Sequence, residues 1–337
     1  MKSSQIVFTA PGVAELVQTE IPAPAAGQVQ VRIAVSAVSS GTERANLLGS
    51  DTLSWVVPKC EAVFPRVLGY SSAGVIEQVG EGVTEFAVGD RVALSWSTHT
   101  HLQNIAAANV TPIGEIPFEE AALFHIATFP LAALRKCKLE LGESAIVMGM
   151  GILGLTAIKL LRAAGAAPVL AVDPNPAKRE IALRHGADYA LDPYAPDFAK
   201  TAKQLTGGGA RVGIEVTGIG AGLDGILDCM ARFGRVALLG CTRSSDFTID
   251  YYRKVHGPGI TLVGAHTNAR PGVDSSDGWW TEKDDMRALC TLSTTGRLKL
   301  AELLQEVHAP QAAPEVYRRL ATEKTFPIVE FDWRKLQ

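Results

Sequence analysis

The 337-residue sequence predicts an α/β protein of two domains, a β-rich first domain followed by a doubly wound parallel sheet, and three observations carry that expectation. From residue 1 to about residue 124 the chain reads as short alternating strands punctuated by Gly and Pro. From Gly142 onward, uncharged apolar runs alternate with helical patterns, as strands covered by helices on both faces require. The first of those runs ends in a glycine turn that opens directly into a helix. A hydrophobic content of 47% over this length is ample for two cores.

In the first domain, Val29-Gln30-Val31-Arg32-Ile33-Ala34-Val35 and Ser72-Ala73-Gly74-Val75-Ile76-Glu77-Gln78-Val79 alternate as strands do. In the second, strands are expected over 145–148, 169–173, 189–191, 212–216, 236–240 and 260–265, with a helix over 281–295 after them, and the last forty residues return to short mixed elements. The net charge of −3 and the scattered Lys and Arg leave no basic footprint, so nucleic acid is not an expected partner. No apolar run is long enough to span a bilayer, and the N-terminal residues lack a signal-peptide core, so a cytoplasmic protein is expected. The five cysteines are odd in number and never form a Cys-x-x-Cys pair, which suits reduced, structural thiols.

The strand Ala145-Ile146-Val147-Met148 runs into Gly149-Met150-Gly151-Ile152-Leu153-Gly154, and Asp173 follows nineteen residues after the last glycine, at the end of a second apolar strand. This is the unit that binds a dinucleotide. Gly149 permits the tight turn, Gly151 leaves room where backbone must approach a pyrophosphate, and Gly154 lets helix and sheet pack closely. Ile152 and Leu153 open the helix whose N-terminus faces the anion. Asp173 accepts hydrogen bonds from ribose hydroxyls and repels a 2′-phosphate, so NAD is favoured over NADP, with Lys178 and Arg179 expected on a solvated helix face.

The segments Val67-Leu68-Gly69-Tyr70-Ser71-Ser72-Ala73-Gly74, Val79-Gly80-Glu81-Gly82-Val83 and Phe86-Ala87-Val88-Gly89-Asp90-Arg91-Val92, followed in order by the glycine turn, Glu215-Val216-Thr217-Gly218 and Leu238-Leu239-Gly240, resemble the medium-chain dehydrogenase/reductase superfamily, which contains alcohol, sorbitol and threonine dehydrogenases. The resemblance covers nearly the whole chain. It implies a GroES-like β-barrel catalytic domain over 1–124, a Rossmann domain over 125–298, and a C-terminal segment over 299–337 that completes the first domain. It also implies that Thr217, Leu239 and Cys241 lie along the nicotinamide half of the cofactor, and that the protein is a homodimer or homotetramer, with the strand over 261–265 a candidate for pairing across subunits.

Zinc members of the superfamily hold their catalytic metal with a Cys in a Cys-Gly-Thr-Asp-like segment and a His in a Gly-His-Glu segment. Here those segments read Ser40-Gly41-Thr42-Glu43 and Gly69-Tyr70-Ser71. A hydroxyl and a phenol are poor zinc ligands beside thiolate and imidazole, so no catalytic zinc is expected. No cysteine lies between Cys60 and Cys137, so the lobe that binds a second, structural zinc is missing as well. His99 and His101, on one face of an extended strand, would have to join His125 to rebuild a metal site.

Without zinc, another group must exchange the oxygen-bound proton during hydride transfer. Tyr70, standing where the resemblance places a metal ligand, is the candidate donor. Thr42 and Ser40 support it, and His125 is the alternative acid/base. Trp96 corresponds to a wall of the substrate cleft in the family, and His101 and His266 are further candidates for substrate contact. The loop ahead of Trp279 and Trp280 suits either a hydroxylated ring or a structural seal.

The expectation is therefore an NAD-dependent oxidoreductase interconverting a secondary alcohol and a ketone, with a sugar or polyol as the candidate small-molecule substrate. Two alternatives stand beside it: a zinc-free quinone or enoyl reductase using NADPH, and a cofactor-binding protein without turnover.

Overall fold

The structure is a computed structural model describing residues 1–50, 60–242 and 245–336. They form two compact units, one comprising Met1–Ile126, Cys290–Thr294 and Lys299–Gln337, the other Ala127–Leu289 and Thr295–Leu298. The first division falls two residues beyond the expected one. The second differs more, because Cys290–Thr294 joins the first unit, where Cys290 meets the Pro112 carbonyl at 3.8 Å.

In chain order the first unit begins with β1 (Lys2–Ala10), β2 (Val13–Glu20), β3 (Gln28–Ala37), α1 (Ser40–Leu47), β4 (Arg66–Val67), β5 (Ser71–Val79), β6 (Arg91–Ser95), β7 (Leu102–Ala106), β8 (Val110–Pro112) and α2 (Phe118–Ala121). Strands β1, β2 and β4 form a small antiparallel sheet. In the larger sheet β3 pairs with β5 along one edge and with β7 along part of the other. Two register shifts in the β3–β5 pairing bend the sheet around its apolar side. That side carries Val29, Val31, Ile33, Ile76, Val92 and Leu94 into one core with Ile6 and Phe8 of β1.

The second unit continues α3, a helix that starts at Phe124 and runs to Lys136. It then alternates β9 (Ala145–Met148), α4 (Ile152–Ala163), β10 (Val169–Val172), α5 (Pro176–Arg184), β11 (Tyr189–Leu191), α6 (Phe198–Leu205), β12 (Ala210–Glu215), α7 (Gly220–Asp228), β13 (Met230–Leu238) and β14 (Thr261–Gly264). The sheet order is β11-β10-β9-β12-β13-β14 and every pairing is parallel. This doubly wound order reverses direction between β9 and β12, and ligands bind outside the carboxyl ends of strands at such a point. Strand β13 begins six residues before the expected start at Val236, since Met230 already pairs with Ala210 ahead of a register shift.

Helix α8 (Glu282–Thr294) follows, and the chain closes with β15 (Glu306–His308), α9 (Ala313–Thr322) and β16 (Val329–Asp332). These last elements return to the first unit, where β16 pairs antiparallel with Val35–Ala37 at the remaining part of the β3 edge. Val316, Tyr317, Leu320, Val329, Phe331 and Trp333 are buried in the same core as β1 and β3. Among the described residues, no helix is long and apolar enough to cross a membrane.

Candidate active site and cofactor turn

At the carboxyl end of β9 in the second unit, Gly149 has φ +101° and a Cβ there would lie 2.9 Å from the Thr217 methyl, so both conformation and space require glycine. Gly154 sits against the turn itself. Gly151 differs: its φ of −87° suits any residue and a Cβ on it would meet nothing within 4 Å. Neither packing nor conformation explains this glycine. Open space beside the N-terminus of α4, with Ile152 and Leu153 in its first turn and no side chain capping it, is what an approaching pyrophosphate needs.

Asp173 is buried at the end of β10, where its carboxylate accepts the Met150 and Asn175 amide hydrogens at 2.8 Å each. These bonds fix the carboxylate beside the glycine turn. Arg179 departs from the expected solvated face: its guanidinium binds the Asp173 carbonyl at 2.8 Å, the Pro174 carbonyl at 3.0 Å and the Asp192 carboxylate at 3.2 Å. A phosphate would have to compete with those partners.

Thr217, Leu239 and Cys241 gather at the carboxyl ends of β12 and β13. The Thr217 amide donates to the buried Glu215 carboxylate at 2.8 Å, and its hydroxyl bonds to the same oxygen. Burial pushes the Glu215 carboxyl up, while the bonds from Thr217 and Gly218 oppose that shift. The Leu239 and Gly240 amides both donate to the Glu215 carbonyl at 2.9 Å. A Cβ on Gly218 would approach the Cys241 carbonyl to 2.7 Å, so the two strand ends cross closely at glycines.

In the first unit, Tyr70 precedes β5 and follows Gly69, whose φ of +103° and 2.9 Å clearance from the His99 amide exclude a side chain. The Tyr70 hydroxyl donates to Ser39, the residue ahead of α1, rather than to Ser40. Ser40 and Thr42 stand in the first turn of that helix, half-buried. His125 is buried in α3, with Nδ1–H donating to the Tyr70 carbonyl, which also accepts the Trp96 amide hydrogen at 2.9 Å. The imidazole therefore fixes the Tyr70 backbone. Trp96 has φ 62°, an uncommon conformation for a bulky residue, and its indole meets the His125 ring edge-on at 4.7 Å and lies 6.3 Å from the Tyr70 ring. Tyr70, His125 and Trp96 thus form one aromatic cluster with Ser39 at its polar end. Ser71 ties β5 to α2 through the Ala122 carbonyl at 2.5 Å.

The histidine pair does not converge. His99 lies in the interior, bonded to Ser36 at 2.7 Å and Glu43 at 3.2 Å, whereas His101 stands half-exposed near Arg32 and Glu77. They precede β7 rather than sharing one face of a strand. Burial lowers the His101 imidazole below its ordinary value, with Glu77 opposing. Among the described residues no three His, Cys, Asp or Glu side chains group to hold a metal ion.

His266, in the second unit, is exposed and accepts the Asn268 amide hydrogen at 3.2 Å. The nearby tryptophans have partners within their own unit: the Arg135 guanidinium lies 3.6 Å over Trp280 and the Lys136 ammonium 4.9 Å over Trp279. Of the two roles open to that loop, the structural seal is the one these contacts build.

Ser39, which meets the Tyr70 hydroxyl, and Glu43, which accepts the Ser39 amide hydrogen, join this candidate cluster although the sequence reading passed over them. The available signal was a serine just ahead of a helix with a carboxylate in its first turns, an N-terminal capping pattern.

The profile described as an alcohol dehydrogenase GroES-like domain matches residues 25–114, and that described as a zinc-binding dehydrogenase matches residues 153–274. The chain is 29% identical over 334 residues to D-guloside 3-dehydrogenase of Escherichia coli, covering 93% of this chain and 94% of that protein. The chain belongs to the medium-chain dehydrogenase/reductase superfamily. It is 28% identical to L-threonine 3-dehydrogenase of Pyrococcus horikoshii, over 78% of this chain and 82% of that one. The crystal structure of benzyl alcohol dehydrogenase from Acinetobacter calcoaceticus superposes with a TM-score of 0.83 at 19% identity, covering 98% and 99% of the two chains, and so shares the fold. As a medium-chain dehydrogenase/reductase the chain is an NAD(P)-linked oxidoreductase acting between an alcohol and a ketone, with a GroES-like domain and a Rossmann domain.

Proposed function

We propose that this medium-chain dehydrogenase is NAD-dependent, works without zinc, and interconverts a secondary alcohol and a ketone on a sugar or polyol. The observation that carries the reading is Tyr70: a phenol at the position of a metal ligand, held at its hydroxyl by Ser39 and at its carbonyl by His125 and Trp96.

Bound nicotinamide supplies or accepts the hydride. In reduction Tyr70 gives its hydroxyl proton to the carbonyl oxygen as that oxygen gains charge, and in oxidation it takes the alcohol proton. Thr42 and Ser40 sit in the helix turn beside Ser39 and keep polar hydroxyls near that step. Trp96 offers a half-exposed aromatic face, which suits the apolar face of a sugar ring. The D-guloside 3-dehydrogenase relative favours a hydroxyl on a hexoside ring as the site of reaction. Asp173 and the tethered Arg179 favour NAD. The exposed edge strand β14 suits pairing between copies in a homo-oligomer, and we place the protein in the cytoplasm.

The test is oxidation of methyl hexosides and polyols with NAD or NADP, read by nicotinamide absorbance, with Tyr70→Phe in parallel and metal content measured by elemental mass spectrometry. The expected result is activity with NAD, a loss of at least about a hundredfold in kcat for Tyr70→Phe, and substoichiometric zinc. About one zinc per chain, removed together with activity, overturns the metal-free mechanism. Preference for NADPH with reduction of conjugated C=C bonds favours the quinone or enoyl reductase reading. Tight NADH binding with no turnover across the panel favours a binding protein.

A further inference from the structure

We propose that Ser39 is a positioning residue for Tyr70, and that a buried polar lattice built from distant parts of the first unit exists to hold it. The proposal rests on the reading of Tyr70 as the proton donor.

A serine ahead of a helix ordinarily turns its oxygen onto the helix amides. Ser39 makes no such bond. Its hydroxyl meets Tyr70 instead, and its own amide donates to Glu43 Oε1 at 2.7 Å, so the helix start is fixed through Glu43 and the Ser39 oxygen is released for Tyr70. The other oxygen of Glu43 accepts the Tyr317 hydroxyl at 2.5 Å and His99 Nε2 at 3.2 Å. His99 Nδ1 pairs with Ser36 Oγ at 2.7 Å, and Ser36 accepts the Trp333 indole hydrogen at 2.9 Å. Apart from the half-buried Tyr70, all of these side chains are buried. Burial and the Glu43 charge push the Tyr317 phenol well up, so it stays a donor.

A buried carboxylate with its bonds satisfied is rigid, and one left partly satisfied is costly. Glu43 therefore cannot move without orphaning three donors, and Ser39 is held with it. When Tyr70 turns its proton toward a substrate oxygen, Ser39 reverses and donates to the Tyr70 oxygen. After transfer that bond stabilises the phenolate until solvent returns the proton. A serine hydroxyl can both accept and donate, so Ser39 serves both states.

The test is an ultraviolet difference titration of the full-length protein, recorded as each Tyr70 form minus its Tyr70→Phe counterpart, which isolates this phenol. His125 against the ring and Glu43 behind Ser39 are its titratable neighbours, and both are retained in every form. Losing one hydrogen bond to the phenolate is expected to raise the midpoint by about one pH unit, tenfold in the ionisation equilibrium, in Ser39→Ala and in Ser39→Gly, with Ser39→Thr restoring it. The Ser39→Ala loss in kcat, at unchanged KM, is expected to vanish in a Tyr70→Phe background. An unmoved midpoint in both Ala and Gly variants overturns the proposal, as does a Ser39→Ala loss that persists without the Tyr70 hydroxyl. Wild-type turnover in Tyr70→Phe overturns the donor reading itself, whatever the midpoint does.

Discussion

Gly154 lies so close to Gly149 that a Cβ on Gly154 would stand 1.8 Å from the Gly149 carbonyl oxygen. The turn is therefore locked by contact between its own ends. Gly154→Ala is expected to destabilise the second unit by at least about 3 kcal/mol, read as a lower melting temperature, because backbone rather than a flexible side chain must yield.

Gly151→Ala is the opposite case. Its Cβ meets no protein atom within 4 Å, so thermal stability should stay close to wild type. NADH affinity should fall at least about tenfold in a fluorescence titration, because the methyl occupies space the pyrophosphate needs. A Gly151→Ala protein that binds NADH normally would place the cofactor elsewhere.

Replacing Asp173 by Asn removes a charge while keeping one oxygen to accept an amide hydrogen. The ratio of NADPH to NADH affinity should rise at least about tenfold, since repulsion of a 2′-phosphate is lost along with a ribose acceptor. Equal changes in both affinities would show that Asp173 only braces the turn through Met150 and Asn175.

Glu330 on β16 is buried with neither carboxyl oxygen hydrogen-bonded to any described residue. Burial holds its carboxyl well above the ordinary range, and Glu119 and Glu120 add to that effect. A raised folded value means that its contribution is fully present below the unfolded value and is lost as pH rises through the folded one. Urea unfolding between about pH 5 and pH 9 should therefore show wild type losing stability against Glu330→Gln as pH increases. Parallel curves for the two proteins would show that Glu330 is not protonated in the fold.

Trp280→Ala should cost about 2–4 kcal/mol, because the indole covers Arg135, which is itself bonded at 2.8 Å to the buried Asp285. Urea unfolding reads this, and an effect below about 0.5 kcal/mol would make the tryptophan a free surface rather than a seal.

The Rossmann unit was legible because its signals are local. Apolar strands, glycines at fixed offsets and the spaced Asp173 all fall within thirty residues, and their conformations follow from steric rules that need no tertiary partner. The first unit was harder. Tyr70 is singled out by its position in the family resemblance, but Ser39 lies 31 residues from it and Tyr317 lies 274 residues from Glu43, so no spacing rule connects them. His99 and His101 looked equivalent two residues apart. Buried bonds to Ser36 and Glu43 hold one of them inside. The left-handed backbone of Trp96 has no sequence signature at all, since a bulky residue is the last expected there.

The β16–β3 pairing also sets a timetable. Strand β3 waits for the much later β16, because Val35–Ala37 find their edge partner only when residues 330–332 emerge. The contiguous parallel sheet in between has all six of its strands by Gly264 and can mature while the earlier half is still unfinished. Vectorial synthesis would thus complete the six-stranded sheet before the other unit, with Tyr317 and Trp333 set into their core only after that sheet has been made.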